Sequence, residues 1–254
     1  MSKRDLYFRK PLMNAAGTLG FSPDPRAPVA WEDLGAFVTN PVSLRPRLPA
    51  ARPAVVEYPG GFLLHTGLPN PGLPAIIKKD SARWARADLP VIVHLMADRP
   101  EETAKMVQML ERQENVMAVE LGFAPLLSDD ILYVALEMCQ GELPLVVSLT
   151  AEQVTRIGAR VMQAGAAAIS LSAPRGAIPG AEGGSLTMGR LYGPSLFPQA
   201  LELVHTAARM GLPVIGAGGL WKREQAEAMI AAGALAVQVD AGLWLPQNIK
   251  APSL

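Results

Sequence analysis

Short apolar, β-branched runs alternate along the chain with stretches whose apolar residues recur at helical spacing, which predicts repeated βα units and a parallel sheet. The predicted strands are Leu12–Ala16, Ala36–Thr39, Val91–Met96, Met117–Leu121, Leu145–Leu149, Ala167–Leu171, Pro213–Gly216 and Ala236–Val239. Eight strands close a barrel whose interior is filled by side chains, so the pattern predicts an α/β fold of the TIM (β/α)8 class. Helix starts and stops lie between them. Thr150-Ala151-Glu152-Gln153 is a capping-box pattern, followed by Val154, Ile157, Val161 and Met162 at helical spacing. Asp98 through Glu101 reads as a second such box before Met106, Val107 and Leu110, with Pro100 tolerated in the first turn. Gly165, Gly211 and Gly233 follow helical runs where a left-handed C-cap belongs.

Two stretches depart from a plain barrel. Leu44–Leu73 is rich in Pro and Gly and too long for a simple connection, and Ser172–Pro194 is glycine-rich. Both are expected as excursions on the face that carries an active site. The tail is short and interrupted by Pro246 and Pro252, so an eighth helix of full length is not expected. The apolar strip left bare would be covered by Leu243, Trp244 and Leu245 or by another subunit, which predicts a homo- or hetero-oligomer.

Composition narrows the class. Half of the 254 residues are hydrophobic and the formal net charge is zero. That suits one globular domain over residues 1–254, with no basic patch to suggest nucleic acid. Apolar runs break well before the ~18 residues of a membrane span, and the N-terminus leads into no apolar signal core. One cysteine, Cys139, allows no intramolecular disulfide, and a cytoplasmic protein is expected. Three scattered histidines and one cysteine give no metal-ligand spacing.

Several segments resemble the dihydroorotate dehydrogenase family, especially its soluble class. These are Pro11 to Thr18, Gly35 to Thr39 with Leu44-Arg45-Pro46-Arg47, Gly67 to Gly72, Leu191-Tyr192-Gly193-Pro194, Ile215 to Gly219, and Gly233-Ala234 leading to Val237-Gln238-Val239. They run in the family's order over residues 11 to about 241. The resemblance implies an FMN-linked barrel oxidising dihydroorotate to orotate in pyrimidine synthesis. It implies flavin contacts at Ala16, Gly17, Gly193, Gly218 and Gly219, and substrate contacts at Gly67, Leu68 and Asn70. Gly218 and Gly219 stand before a helix N-terminus, where bare N–H groups cradle a phosphate; the alternative is that they only permit a tight turn.

The chemistry that the resemblance implies is changed at many of its positions. The family's base is a Cys or Ser in an Asn-x-Ser-Cys-Pro-Asn loop; here Gly122 stands for the first Asn, Pro125 for the Cys and Leu127 for the second Asn. The family's two flavin-side lysines correspond to Asn40 and Ser148, and an orienting Asn of the substrate loop corresponds to Leu64. Where the family has Gly-Thr beside the FMN phosphate, this chain has Asp240-Ala241. A carboxylate ~4 Å from a phosphate costs about 1 kcal/mol in water-like surroundings and ~4 at an effective dielectric of 20. Arg190, in place of a glycine, is a candidate partner for Asp240.

Among the remaining residues, His65 in the first excursion is the candidate base, against the alternative of an exposed loop histidine. His94 alternates with Ile92 and Met96 and is expected as a hydrogen-bonded residue of the barrel interior. His205 reads as helix surface and Cys139 as a small hydrophobe. Arg175 and Arg190 are candidates to hold an anion. Three functions stay open: an FMN-dependent dihydroorotate oxidoreductase, a non-catalytic binding or partner subunit, and a barrel acting on another small anionic ligand.

Overall fold

The computed structural model describes residues 6–180 and 185–244. In chain order the strands are β1 (Leu12–Asn14), β2 (Phe37–Val38), β3 (Ala54–Tyr58), β4 (Gly61–His65), β5 (Val91–Met96), β6 (Val116–Gly122), β7 (Leu145–Leu149), β8 (Ala168–Leu171), β9 (Arg175–Pro179), β10 (Leu186–Tyr192), β11 (Val214–Ala217) and β12 (Ala236–Val239). The helices are α1 (Leu73–Arg86), α2 (Pro100–Leu110), α3 (Asp129–Met138), α4 (Ala151–Gln163), α5 (Phe197–Arg209) and α6 (Arg223–Ala231). Eight parallel strands run in the order β1-β12-β11-β8-β7-β6-β5-β2, and they are the eight that the hydrophobic pattern predicts, three with the same ends and five with ends shifted by up to two residues.

The seam between β1 and β2 is where the barrel almost fails to close. The short strands share one bridge, Met13 to Ala36, and a hydrogen bond from Gly35 N to the Leu12 carbonyl at 2.7 Å. The Asn14 side chain supplies the rest of the ladder. Its Nδ2 donates to the Val38 carbonyl at 2.6 Å, and its Oδ1 accepts from Val38 N at 2.8 Å. An amide reproduces the donor and acceptor of a peptide group, so this fully buried side chain acts as a piece of backbone.

Strand alternation divides the interior into layers. Met13, Val38, Ile92, Ala118, Val146, Ala168, Ile215 and Ala236 point inward and pack with Phe8 into an apolar floor. Two residues further along their strands, His94, Glu120, Ser148, Ser170 and Gln238 form a polar layer toward the strands' C-terminal ends. The outward residues, such as Val93, Leu95, Val119, Leu121, Val147 and Leu149, belong to the main core under the helices.

Local signals are met in part. The Thr150–Gln153 capping box forms, and Gly165, Gly211 and Gly233 all have positive φ at helix ends. The second box does not form. The N-cap of α2 is Arg99, with no side-chain cap, and the Asp98 carboxylate accepts from Ala124 N at 2.7 Å instead. A long-range backbone donor displaced the local one. The first connection is likewise not a βα unit: between β1 and β2 it holds only a one-turn 3-10 helix, Trp31–Asp33. The expectation of a missing eighth helix, including Leu245, Pro246 and Pro252, lies outside the described residues; Trp244 is more than half exposed.

The two excursions pair with each other. They make an antiparallel sheet, β3-β4-β10-β9, beyond the barrel strands. Gly193 marks their crossing, because a Cβ there would lie 2.3 Å from the Gly60 carbonyl oxygen. Replacing Asn14 by Leu keeps the volume but leaves Val38 N–H and C=O buried and unpaired. It should cost about 2–4 kcal/mol in chemical denaturation with the far-UV dichroism of the folded state retained.

Candidate functional site

The polar layer is organised around one carboxylate. The register of β5 on β6 sets His94 directly opposite Glu120, both facing inward. His94 Nδ1 lies 2.7 Å from Glu120 Oε2, and Gln238 Nε2, from across the barrel on β12, donates to Glu120 Oε1 at 2.9 Å. All three are nearly fully buried. Burial alone would raise the Glu120 pKa, but the His94 bond and charge, with the Gln238 amide, outweigh it and hold the carboxyl below its ordinary range. An ionised Glu120 can only accept, so the proton in the contact sits on His94 Nδ1. Nε2 is turned the other way, toward Gly122, where a Cβ would stand 2.4 Å from it.

Above this layer lies a cavity of about 190 Å³, bounded by the barrel rim and by the excursion sheet. His94 forms part of its wall. Its other polar lining is three arginines, Arg47, Arg175 and Arg190, with His65, Thr66, Asp98 and Tyr192. Arg175 and Arg190 are direct cross-strand partners on β9 and β10. Like charges in that position repel, and the pKa of Arg175 is lowered by burial and by the neighbouring Arg190 charge. Among the described residues neither arginine has a carboxylate within ion-pair distance. Asp98 reaches the same cavity, but an oxygen of its carboxylate is held by Ala124 N. The arrangement is a cation-rich hollow with a carboxylate-oriented imidazole in its wall.

The residues singled out in the sequence fall into three groups. His65, Gly67, Leu68, Arg175 and Arg190 line this cavity. Asn70, expected to orient a substrate, is turned into its own loop. Its Oδ1 accepts from Ser43 N, Ser43 Oγ and Gly72 N at 3.0–3.2 Å, and its Nδ2 donates to the Leu68 carbonyl at 3.2 Å. Gly219 is required by packing, since a Cβ would meet Phe197 N at 2.4 Å, as Gly193 is by the crossing of the excursions. Ala16, Ser148 and Gly218 border a second, smaller cavity that shares His94, Arg190 and Tyr192 with the first. Gly17 lies on the turn after β1, with φ of +95°. His205 is exposed on α5, and the buried Cys139 thiol is pushed up to about 12 by burial, which leaves it unreactive. Glu120 and Gln238 were not singled out. Their signal was present: each is a polar residue at an inward position of an otherwise apolar strand.

The smaller cavity is where the resemblance would seat FMN, and its residues do not fit that group. Its volume is about 50 Å³, whereas pockets for ligands of that size run upward from roughly 300 Å³. Asp240 stands at its wall, nearly fully buried, with one carboxylate oxygen unpartnered. The N–H groups of Ala241 and Gly242 are already turned to the Asp240 carboxyl. Arg190 does not rescue the phosphate position: its side chain bonds the Tyr192 hydroxyl rather than Asp240. Among the described residues no group of three or more His, Cys, Asp or Glu is placed to hold a metal.

Burial raises the Asp240 pKa to about 6 against the ordinary 3.8, with the Ala241 and Gly242 amides opposing the shift. The sign follows directly. The folded state holds this proton more tightly than the unfolded chain, so its contribution to stability is greatest below pH ~4 and is lost as pH rises through about 6. Asp240→Asn should therefore stabilise the protein above pH ~7 by up to about 3 kcal/mol and have little effect near pH 4, read from denaturation midpoints across that range.

Comparison with known proteins agrees with the fold. A model of the dihydroorotate dehydrogenase family matches residues 3–123. The protein named dihydroorotate dehydrogenase B (NAD(+)), catalytic subunit, of Pelobacter propionicus is 32% identical over 266 aligned positions, covering 94% of this chain and 86% of the relative. Its namesake in Trichlorobacter lovleyi is 31% identical, over 92% and 84%. The crystal structure of the Eimeria tenella enzyme in complex with ferulenol superposes with a TM-score of 0.72 at 17% identity, covering 92% of this chain and 76% of that one, a likeness of fold. By its eight-stranded barrel and by relatives that align along nearly its whole length, this chain belongs to the dihydroorotate dehydrogenase family.

Proposed function

We propose that this chain, as one domain, binds a small carboxylate-bearing ligand in the cavity under its excursion sheet, and that it has lost its family's flavin-dependent oxidation of dihydroorotate. The observation that carries this reading is the facing pair Arg175 and Arg190, without carboxylate partners among the described residues, over a cavity that also takes in Arg47, His65 and His94. A carboxylate between two guanidiniums relieves their repulsion and gains charge-assisted hydrogen bonds. A volume of about 190 Å³ suits a single-ring acid such as orotate. Against flavin chemistry stand the 50 Å³ beside Gly218, the buried Asp240, Ser148 in place of a lysine, and Gly122 and Pro125 in the loop where the family keeps its base.

The relatives' printed names call them catalytic subunits, which supports an assembly with a further polypeptide, in which this chain is the ligand-binding or partner subunit. Among the described residues no helix is long and apolar enough to cross a membrane. A second reading, an intact FMN-dependent dihydroorotate oxidoreductase, is favoured by the 32% identity over 94% of the chain to a protein so named.

The visible spectrum of the purified protein separates the two. The proposal expects no flavin band at about 450 nm and no uptake of added FMN at high micromolar concentration; a stoichiometric flavin bleached by dihydroorotate under anaerobic conditions overturns it. Calorimetry with orotate is expected to show binding that Arg190→Ala or Arg175→Ala weakens by roughly 10- to 100-fold, the worth of one charge-assisted hydrogen-bonding group.

A further inference from the structure

The geometry points to a second ligand site, at the other end of the barrel from the mouth: a hollow that takes a nucleoside monophosphate whose base carries an amino group. It owes nothing to the anion-binding reading above, and either can fail without the other.

The hollow has a volume of about 720 Å³, within the roughly 300–1,000 Å³ of small-molecule sites. One wall is the β1–β2 connection, with Asp24, Arg26 and Trp31. The other is the last turn of α1 and the connection to β5, with Arg83, Arg86 and Asp88. That connection enters β5 at Val91, whereas the mouth cavity touches the strand at Met96, roughly 17 Å further along.

Both walls are pinned. Trp84 Nε1 donates to the Phe21 carbonyl at 2.8 Å and Ser22 Oγ to Asp80 Oδ1 at 3.0 Å, which fastens the first wall to α1. Asn115 Nδ2 donates to the carbonyls of Trp84, Ala87 and Leu89 at 2.8–3.0 Å, which fixes the second. The fully buried Phe37 backs the Trp31 indole, with ring centroids 6.2 Å apart. A hollow between fixed walls stands open without its ligand, so binding has little ordering cost to meet.

The charges around it are not used alike. Asp24 accepts from Arg26 Nε and Nη2 at 3.0 and 2.9 Å, which closes that pair. Arg83 Nη1 lies 3.4 Å from the buried Asp80 carboxylate. Arg86 and Asp88 remain. Among the described residues neither has an ion-pair partner, and Arg86 uses only its Nε, on the Ala82 carbonyl of its own helix at 2.9 Å. Arginines in a last helical turn also offset the helix dipole, but that role asks for no aromatic wall across an open hollow.

Each of these groups answers to one part of a nucleotide. A guanidinium with its terminal nitrogens free takes phosphate oxygens, and Arg83 is its neighbour at i,i+3 on the same helix face. An indole stacks a planar base. An ionised carboxylate can only accept, so Asp88 is satisfied by N–H groups of the ligand, which an amino-bearing base supplies. Trp31 has no polar duty inside the protein: its Nε1 is buried and makes no hydrogen bond among the described residues.

The test titrates the full chain with guanosine monophosphate, read by calorimetry and by tryptophan fluorescence. Saturable binding that quenches the fluorescence is expected. Guanosine, which lacks the phosphate, ribose 5-phosphate, which lacks the base, and inosine monophosphate, which lacks the amino group, should each bind about 10-fold or more weakly. Arg86→Glu, an exposed change that cuts no bond to another element, should weaken the nucleotide by about 10-fold or more. Trp31→Leu should do the same, and Trp31→Tyr should recover most of the loss. Asp88→Ala should bring guanosine and inosine monophosphates to equal affinity. No binding of guanosine monophosphate at millimolar concentration overturns the inference. So does an affinity unchanged in Arg86→Glu, whether or not Trp31→Leu folds, or natural-protein binding as tight for guanosine or inosine monophosphate. Binding lost in Arg190→Ala would put the nucleotide in the mouth and overturns it too.

Discussion

A carboxylate buried inside a barrel is the constraint around which the rest of this structure is arranged. Glu120 is 1% exposed, and an ionised side chain there is tolerable only if both oxygens are used. Removing one partner of such a buried pair typically costs about 3–5 kcal/mol. Strand β5 must therefore present His94 in register with Glu120, and β12 must present Gln238 from the opposite wall. The barrel's closure is tied to the same geometry. Met13 lies beside Gln238 in the β1–β12 register, and the Asn14 amide next to it stitches β1 to β2. The apolar floor of Met13, Val38, Ile92 and their neighbours excludes water from below, so the charge can be reached only from the C-terminal face.

That geometry changes how the substitutions in the family's active site read. Position by position, the resemblance reads them as losses: a glycine for an amide, a proline for the base, a serine for a lysine. Taken in space, the small residue at 122 and the imidazole at 94 are complementary, and the arginines of the excursion sheet bring positive charge to a different part of the mouth. Under the proposed anion-binding reading, the site is rebuilt around a cationic hollow rather than merely emptied. At the other side of Tyr192 the same economy applies in reverse. Asp240 turns the Ala241 and Gly242 amides inward to a carboxyl of the protein's own, which is the kind of donor a bound phosphate would otherwise use.

Fold and ancestry are thus separable from chemistry. The relatives align along nearly the whole chain, while several of this chain's glycine turns answer to packing in its own structure. Gly193 and Gly219 illustrate the point. Each lies in a segment that resembles the family, and each has a steric reason to be glycine in this structure that involves no ligand.

The sequence by itself determined the barrel. Period-two and helical alternation is a local property, written into each strand by its own residues, so all eight parallel strands, the Thr150 capping box and the glycine C-caps were legible without neighbours. It also marked His94 as interior and Arg175 and Arg190 as anion candidates. What only the tertiary structure decided are the contacts between segments far apart in the chain. The pairing of β4 with β10 sets Arg190 opposite Arg175 over the cavity, and Ala124 N takes Asp98 away from its own helix. Ser43 and Gly72 enclose the Asn70 amide, and Gln238 reaches Glu120 across the barrel lumen. Hydrogen-bond donors and charges are satisfied by whichever partner the fold brings within reach, and sequence distance carries no information about that reach.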